Sequence, residues 1–201
     1  MWLSTSLLSV LLSVGIGVGL MAVNAGVAEC PVVVLSNEGA SLKKAIQLQK
    51  DRKVFDLEVH PNYEVSFTLT PKKVVSGWAN IFHITNNVGS GNYRAMGNRV
   101  PGVWFHSMTT KLHICTGCDG TANLCLNPPD SLPMGKKTRI IIKVEGGFFT
   151  VRFGGCTLDS WEVARVKCSV PSKGQPATVY MSNPWDSAAN AVIEDFVYSF
   201  P

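Results

Sequence analysis

Apolar and polar residues alternate along much of this chain with a period of two. In Asn62–Thr70, NYEVSFTLT, the residues Tyr63, Val65, Phe67 and Leu69 fall on one side and Glu64, Ser66, Thr68 and Thr70 on the other. That is the pattern of a half-buried strand, and Pro71 is expected to close it. Further strands are predicted at Val54–Val59, Trp78–Thr85, Val103–His106, Lys111–Cys115, Arg139–Glu145, Phe148–Phe153, Ala164–Cys168, Thr178–Ser182 and Ile193–Phe200. Gly, Pro and Asn punctuate the gaps. Gly146-Gly147, between KVE and FFTV, signals a two-residue hairpin. Only Ser41–Lys50, SLKKAIQLQK, reads as helix, about two turns of it. Many short strands with almost no helix predict an all-β fold, either a two-sheet sandwich or a barrel.

The front of the chain breaks this pattern. Residues 1–28 contain no Lys, Arg, Asp or Glu, and the stretch from Leu7 to Val23 is continuously apolar or small. Small residues then crowd Val23-Asn24-Ala25 and Gly26-Val27-Ala28, as before a signal-peptidase cut. The expected organisation is a cleaved signal peptide at 1–28, an N-terminal segment at 29–53 and one β-sandwich domain at 54–201. The expected location is secreted or extracellular, with no membrane attachment after cleavage. An uncleaved anchor is the alternative, because the apolar run nearly reaches spanning length.

Secretion gives the cysteines a meaning. Cys30, Cys115, Cys118, Cys125, Cys156 and Cys168 make an even set, which in a secreted chain points to disulfides. Six cysteines allow 15 connectivities. Local spacing favours Cys115–Cys125 and Cys156–Cys168, with Cys30–Cys118 tying down the N-terminal segment. Cys115-Thr-Gly-Cys118 lacks the strand-to-helix context of a redox motif, and no second, similarly spaced pair makes it a zinc site.

Charge narrows the partners. The net charge is +4, and the basic residues are dispersed. Lys136-Lys137-Thr138-Arg139 is the densest cluster and reads as a solvated strand start. Nucleic-acid binding would need a concentrated basic face.

The stretch Asn80–Ile114 carries the densest candidate chemistry. Alternation places His83, Trp104, His106 and His113 on the polar face of one sheet if their strands are neighbours. Asn86, Asn87, Asn92, Asn98 and Arg99 come from the loop at its edge. A Trp ring offers a flat platform for the C–H face of a pyranose, while His, Asn and Arg exchange hydrogen bonds with hydroxyls. The candidate ligand-binding set is therefore His83, Asn86, Arg99, Trp104, His106 and His113. A zinc site from His83, His106 and His113 is a competing reading. In a third, the histidines and Trp104 pack internally and Gly97-Asn98-Arg99-Val100-Pro101 fixes a turn. Trp185, in Ser182-Asn183-Pro184-Trp185-Asp186, is either a platform at the rim or, the favoured reading, a cap on the sandwich end.

Several pieces together resemble the concanavalin A-like, laminin G-like jelly rolls of secreted or cell-surface proteins: YEVSFTLTP, GWANIFHIT, GNRVPGVWF, TTKLHIC and VYMSNPWDSAANAVIEDFVYSF. The resemblance spans roughly Asp56 to Phe200. It implies an all-β, antiparallel two-sheet jelly-roll sandwich of a kind that often binds glycans or extracellular proteins. The glucanases of this fold carry an ExDxE strand, whereas this chain has only Asp56-Leu57-Glu58. The Asp- and Asn-rich metal loop of legume lectins is missing too. There is no G-x-S-x-G elbow, so no enzyme and no cofactor are expected. The resulting expectation is a lectin-like recognition module for carbohydrate on a cell surface or matrix. The alternative is a structural subunit or protein-interaction module, self-assembly included, with Trp161, Trp185 and the N-terminal segment as interface elements.

Overall fold

The computed structural model describes residues 39–86, 94–154, 160–171 and 174–201. The proposed signal peptide, Cys30, Asn87, Asn92 and Cys156 lie outside them. Fourteen strands form two seven-stranded sheets packed face to face, and no helix occurs among the described residues.

One sheet runs in the order β1 (Ala40–Leu42), β14 (Asn190–Ser199), β4 (Tyr63–Lys73), β9 (Thr138–Glu145), β10 (Phe148–Gly154), β11 (Ser160–Lys167), with β2 (Ile46–Gln47) also on β14. The other runs β3 (Lys53–Val59), β12 (Gln175–Tyr180), β5 (Ala79–Thr85), β6 (Gly102–Phe105), β7 (Leu112–Cys118), β8 (Thr121–Leu126). Short β13 (Ser187–Ala188) adds to β5 in the one parallel pairing among the described strands. Strands distant in sequence, such as β4 and β14 or β5 and β12, lie side by side. That is the jelly-roll pattern, in which crossing connections bring the two halves of the chain together.

All ten predicted strands are present. Gly146 and Gly147 both have positive φ (58° and 80°), as the tight β9–β10 turn requires. The core forms where the inward residues of both sheets meet. Phe82 of β5 takes Phe67 of β4 edge-on at 5.1 Å and Phe196 of β14 at 5.3 Å. Tyr63 of β4 reaches across to Thr116 of β7 with a buried 2.9 Å hydroxyl contact.

Three expectations are corrected. Ser41–Lys50 is not helical: β1 and β2 hydrogen-bond to β14 and bury Ile46 and Leu48. A two-turn helix is marginal alone, and an open sheet edge gives the same residues both backbone partners and burial. The sandwich therefore starts ahead of residue 54. Pro71 does not end its strand. Pairing with β9 stops at Leu69, and a register shift opposite Asn190/Ala191 accommodates the missing N–H.

The disulfides are Cys115–Cys125 and Cys118–Cys168. The first was expected; Cys156–Cys168 and Cys30–Cys118 are both excluded by the second. Topology overrides spacing here. The end of β7 and the segment after β11 meet across the two sheets, and Asp119 receives the N–H groups of Ser169 and Val170 at 3.2 and 2.8 Å. The bond thus ties one sheet to the other. A non-reducing digest is expected to recover Cys118 linked to Cys168. Replacing both by alanine should lower unfolding stability by about 2–5 kcal/mol, read from denaturant midpoints; an unchanged midpoint would remove this bond from the stabilising set.

Candidate functional site

The outer face of the second sheet carries two cross-strand rows. Asn80 of β5, Trp104 of β6 and His113 of β7 stand opposite one another. Beside them run His83, Gly102, Cys115 and, on β8, Cys125. The indole of Trp104 folds back over its own strand. A Cβ on Gly102 would lie 2.3 Å from the ring, so only glycine fits there.

Trp104 is 3% exposed, and its indole N–H donates to Asp186 Oδ2 at 2.8 Å. Asp186 is placed by Asn183. The Asn183 side-chain oxygen accepts the N–H groups of Trp185 and Asp186 at 3.1 and 2.8 Å. Its Nδ2 donates to Asp186 Oδ2 and to His83 Nδ1, each at 2.9 Å. The Asn183 N–H donates to Asn80 Oδ1 at 2.8 Å, and Asn80 Nδ2 donates to the carbonyls of Phe82 and Val103.

His83 is enclosed by this network. Its ring meets Trp104 at 5.2 Å and Trp185 at 5.6 Å, both edge-on. Its Nε2 lies 2.6 Å from the Asn98 carbonyl. A carbonyl only accepts, so Nε2 carries the proton and Nδ1 accepts from Asn183. Burial pushes the imidazole pKa down to about 4; the Asn98 carbonyl opposes the shift and the Arg99 charge adds to it. His83 is thus a neutral structural residue, out of reach of a surface ligand. The zinc trio fails for the same reason, since both His83 nitrogens are occupied.

An open depression of about 270 Å³ lies over this floor, lined by Trp78, Arg99, Trp104, His113, Asn123 and Asp186. The Arg99 guanidinium lies 4.5 Å above the Trp104 ring and donates to Asn123 Oδ1. Trp78 is its exposed aromatic ring, at 48%. Its ring rests on His106 and His113, at 4.7 and 4.8 Å. Those imidazoles share one acceptor, Asn127 Oδ1, at 3.0 Å from His106 Nε2 and 2.7 Å from His113 Nδ1. Burial holds the His113 pKa below its ordinary value, with Asn127 opposing and the His106 and Arg99 charges reinforcing.

Of the predicted set, Arg99, Trp104 and His113 line the depression and His106 supports Trp78 from its flank. Asn86 stands apart, bonded to Gln175. Trp185 packs on His83 and Tyr180 rather than presenting a free face. Sequence reasoning passed over Trp78, Asn123, Asn127 and the role of Asp186. Trp78 was legible only as the start of GWANIFH, because strict alternation puts positions 78 and 80 on the face opposite His83, and the bulge between Asn80 and Phe82 that changes the phase leaves no trace in the pattern. His113, Cys115 and Cys125 bring their donor atoms within 4.8 Å of one another, but both sulfurs are spent on their mutual bond.

No family model matches the chain, and no curated protein matches it. Solved structures do. The CBM40 of the Ruminococcus gnavus IT-sialidase, bound to α2,3-sialyllactose, superposes with a TM-score of 0.54 at 6% identity, over 80% of this chain and 90% of that one. The SAP-like pentraxin of Limulus polyphemus gives 0.47 at 12% identity, over 76% and 74%. The exoplasmic/lumenal domain of VIP36 gives 0.46 at 9% identity, over 82% of each chain. The likeness to the CBM40 is one of fold, a two-sheet jelly-roll β-sandwich.

The burial of His83 has a consequence for stability. Above pH 6.5, the ordinary value for a histidine, neither the folded nor the unfolded chain protonates it. As pH falls from 6.5 toward about 4, the unfolded chain takes a proton that the folded one refuses. Unfolding should then become easier by on the order of 3 kcal/mol. Urea midpoints at pH 7.5 and 4.5 are expected to fall further for the native chain than for His83→Gln. Equal losses in both would show that His83 does not titrate between its two states in this way.

Proposed function

We propose that this chain is a secreted, non-catalytic carbohydrate-recognition module and that the depression over Trp104 is its binding site. The observation that carries this reading is the pairing of an exposed indole with a rim of fixed polar groups. Trp78 offers an apolar face, while Arg99, Asn123 and His113 offer donors and acceptors already oriented by other bonds. A saccharide matches that mixture, with C–H faces for an aromatic ring and hydroxyls for the rim. Preorientation matters, since a group already held loses little freedom when a ligand arrives.

The resemblance to a carbohydrate-binding module solved with a sialylated sugar supports the reading at the level of fold. A non-catalytic role is favoured by the carboxylates. Asp186 is the acid that lines the depression, and its Oδ2 is held by Trp104 and Asn183. Glycoside hydrolysis ordinarily needs two carboxyl groups flanking the bond. The two described disulfides fit an extracellular home.

The test is a glycan array followed by calorimetry on the best binder, with Trp78→Ala beside the native chain. Trp78 is exposed, so its loss should leave folding intact, whereas Trp104→Ala would strand Asp186 and blur the result. Selective binding that weakens at least about tenfold in Trp78→Ala, the equivalent of 1.4 kcal/mol, is the expected outcome. A folded, disulfide-complete protein that binds no glycan, or binds equally well without Trp78, would refute the site.

A further inference from the structure

The two described disulfides sit in contrasting surroundings. Cys118 and Cys168 are both buried, at 0% and 1% exposure. Their bond lies between the sheets. Cys115 is equally buried, but Cys125 is only half-buried and stands on β8, the last strand of its sheet. The neighbours differ as well. His113 Nε2 lies 3.0 Å from Cys115 Sγ, whereas the group beside Cys118 Sγ is the Val170 carbonyl oxygen, at 3.4 Å. We propose that Cys115–Cys125 is a site of thiol–disulfide exchange, attacked at Cys125 by a small-molecule thiol while His113 eases the departure of the Cys115 sulfur.

Access and leaving-group chemistry select the same direction. Exchange proceeds by attack of a thiolate on one sulfur, with the other expelled. The half-buried Cys125 Sγ is the sulfur a solvent-borne thiolate reaches. Attack there forms a bond between the incoming sulfur and Cys125 and breaks the bond to Cys115. The electron pair of that bond goes to Cys115 Sγ, which leaves as a thiolate. The proton given up by the incoming thiol finishes on Cys115 Sγ or on His113 Nε2. The products are a mixed disulfide on Cys125 and a reduced Cys115, so no further oxidant or reductant is required.

His113 is oriented for this task. Its Nδ1–H is donated to Asn127 Oδ1, since an amide oxygen only accepts. That leaves Nε2 facing Cys115 Sγ, where it first takes the proton given up by the incoming thiol and then, as N–H, donates to the departing Cys115 sulfur. A thiol that is stabilised on leaving leaves faster. At Cys118 a carbonyl oxygen would repel a developing thiolate, so that bond has neither the access nor the help. An adduct on Cys125 would stand against Asn123, whose Oδ1 is 3.4 Å from Cys125 Sγ and which lines the depression.

The full oxidised chain is incubated with reduced glutathione as the probe. The reaction is stopped with acid, free thiols are alkylated, and a non-reducing digest is read by mass spectrometry. A glutathione adduct on Cys125 with alkylated Cys115, formed before Cys118–Cys168 opens, is the expected result. His113→Gln should slow adduct formation at least about tenfold while its circular dichroism matches the native chain. Opening of Cys118–Cys168 first or equally fast, an adduct on Cys115 instead of Cys125, or a native exchange rate in a folded His113→Gln would each overturn the proposal. The first two readouts use the unaltered protein, so they decide the site of attack whether or not the variant folds.

Discussion

The side chain of Asn183 holds the candidate site together. Its oxygen takes two backbone N–H groups, its nitrogen serves His83 and Asp186, and its own N–H is received by Asn80. Every polar atom of that side chain has a partner, and Asn183 is fully buried. From it the order of the depression follows in sequence. Asp186 is fixed by Asn183, Trp104 by Asp186, Arg99 by the Trp104 ring, and Asn123 by Arg99. A buried network of this kind is favourable only when complete, because a group that loses its partner bears a desolvation cost of about 1–3 kcal/mol. The tautomer of His83 belongs to the same constraint. Only with its proton on Nε2 can it both donate to Asn98 and accept from Asn183.

Residues on this face therefore divide into those that are held and those that are offered. Trp104 and His83 look alike in a strand pattern to Trp78 and His113, yet they are consumed by internal bonds. Trp78 differs because, among the described residues, its ring only rests on the tilted imidazoles beneath it and no hydrogen bond holds it. Nearly half of its surface remains open. Contact with a flat apolar ligand at that ring breaks no existing bond, which makes it the inexpensive place for recognition. The polar rim is cheap for another reason: Arg99 and His113 are already oriented, so their side-chain entropy was lost on folding.

The strands were the most legible part of the sequence, because alternation is a local property and the sandwich buries one face of each strand. Asp119-Gly120 was equally legible. Both residues have positive φ and turn β7 into β8, and the dipeptide is a strong hairpin signal that the strand reading stopped short of using. What was hidden depends on distance or on irregularity. The bulge at Ile81 shifts the phase of β5, so period-two reasoning could not place Asn80 and His83 on one face with Trp78 above them. Asn183 and Asp186 join residues 100 and 82 positions earlier, and no local pattern carries such a pairing. The Cys118–Cys168 bond joins positions 50 apart for the same reason. Ser41–Lys50 misled in the opposite sense, since its local helical pattern was real and an open strand edge outcompeted it.

The two outer faces of the sandwich show how one pattern supports two chemistries. On the first sheet, Lys143 pairs with Glu145, Lys137 with Glu194, and Arg165 covers the ring of Phe148. These are charged, half-exposed contacts that water screens, each contributing about 0–1 kcal/mol. They keep a sheet face soluble without fixing any group tightly. On the second sheet the outward positions of β5, β6 and β7 are Asn, His and Trp, which gain little from water and much from one another. Covered by the Ser182–Asp186 turn, they form a second, polar core outside the apolar one. A side chain set in such a layer is as rigid as one in the apolar core, and it can still place a hydrogen-bonding atom at the surface. That combination is what the proposed recognition site requires, and it favours this face over the opposite one, whose depression is lined by solvated charges such as Lys143, Glu145 and Arg165.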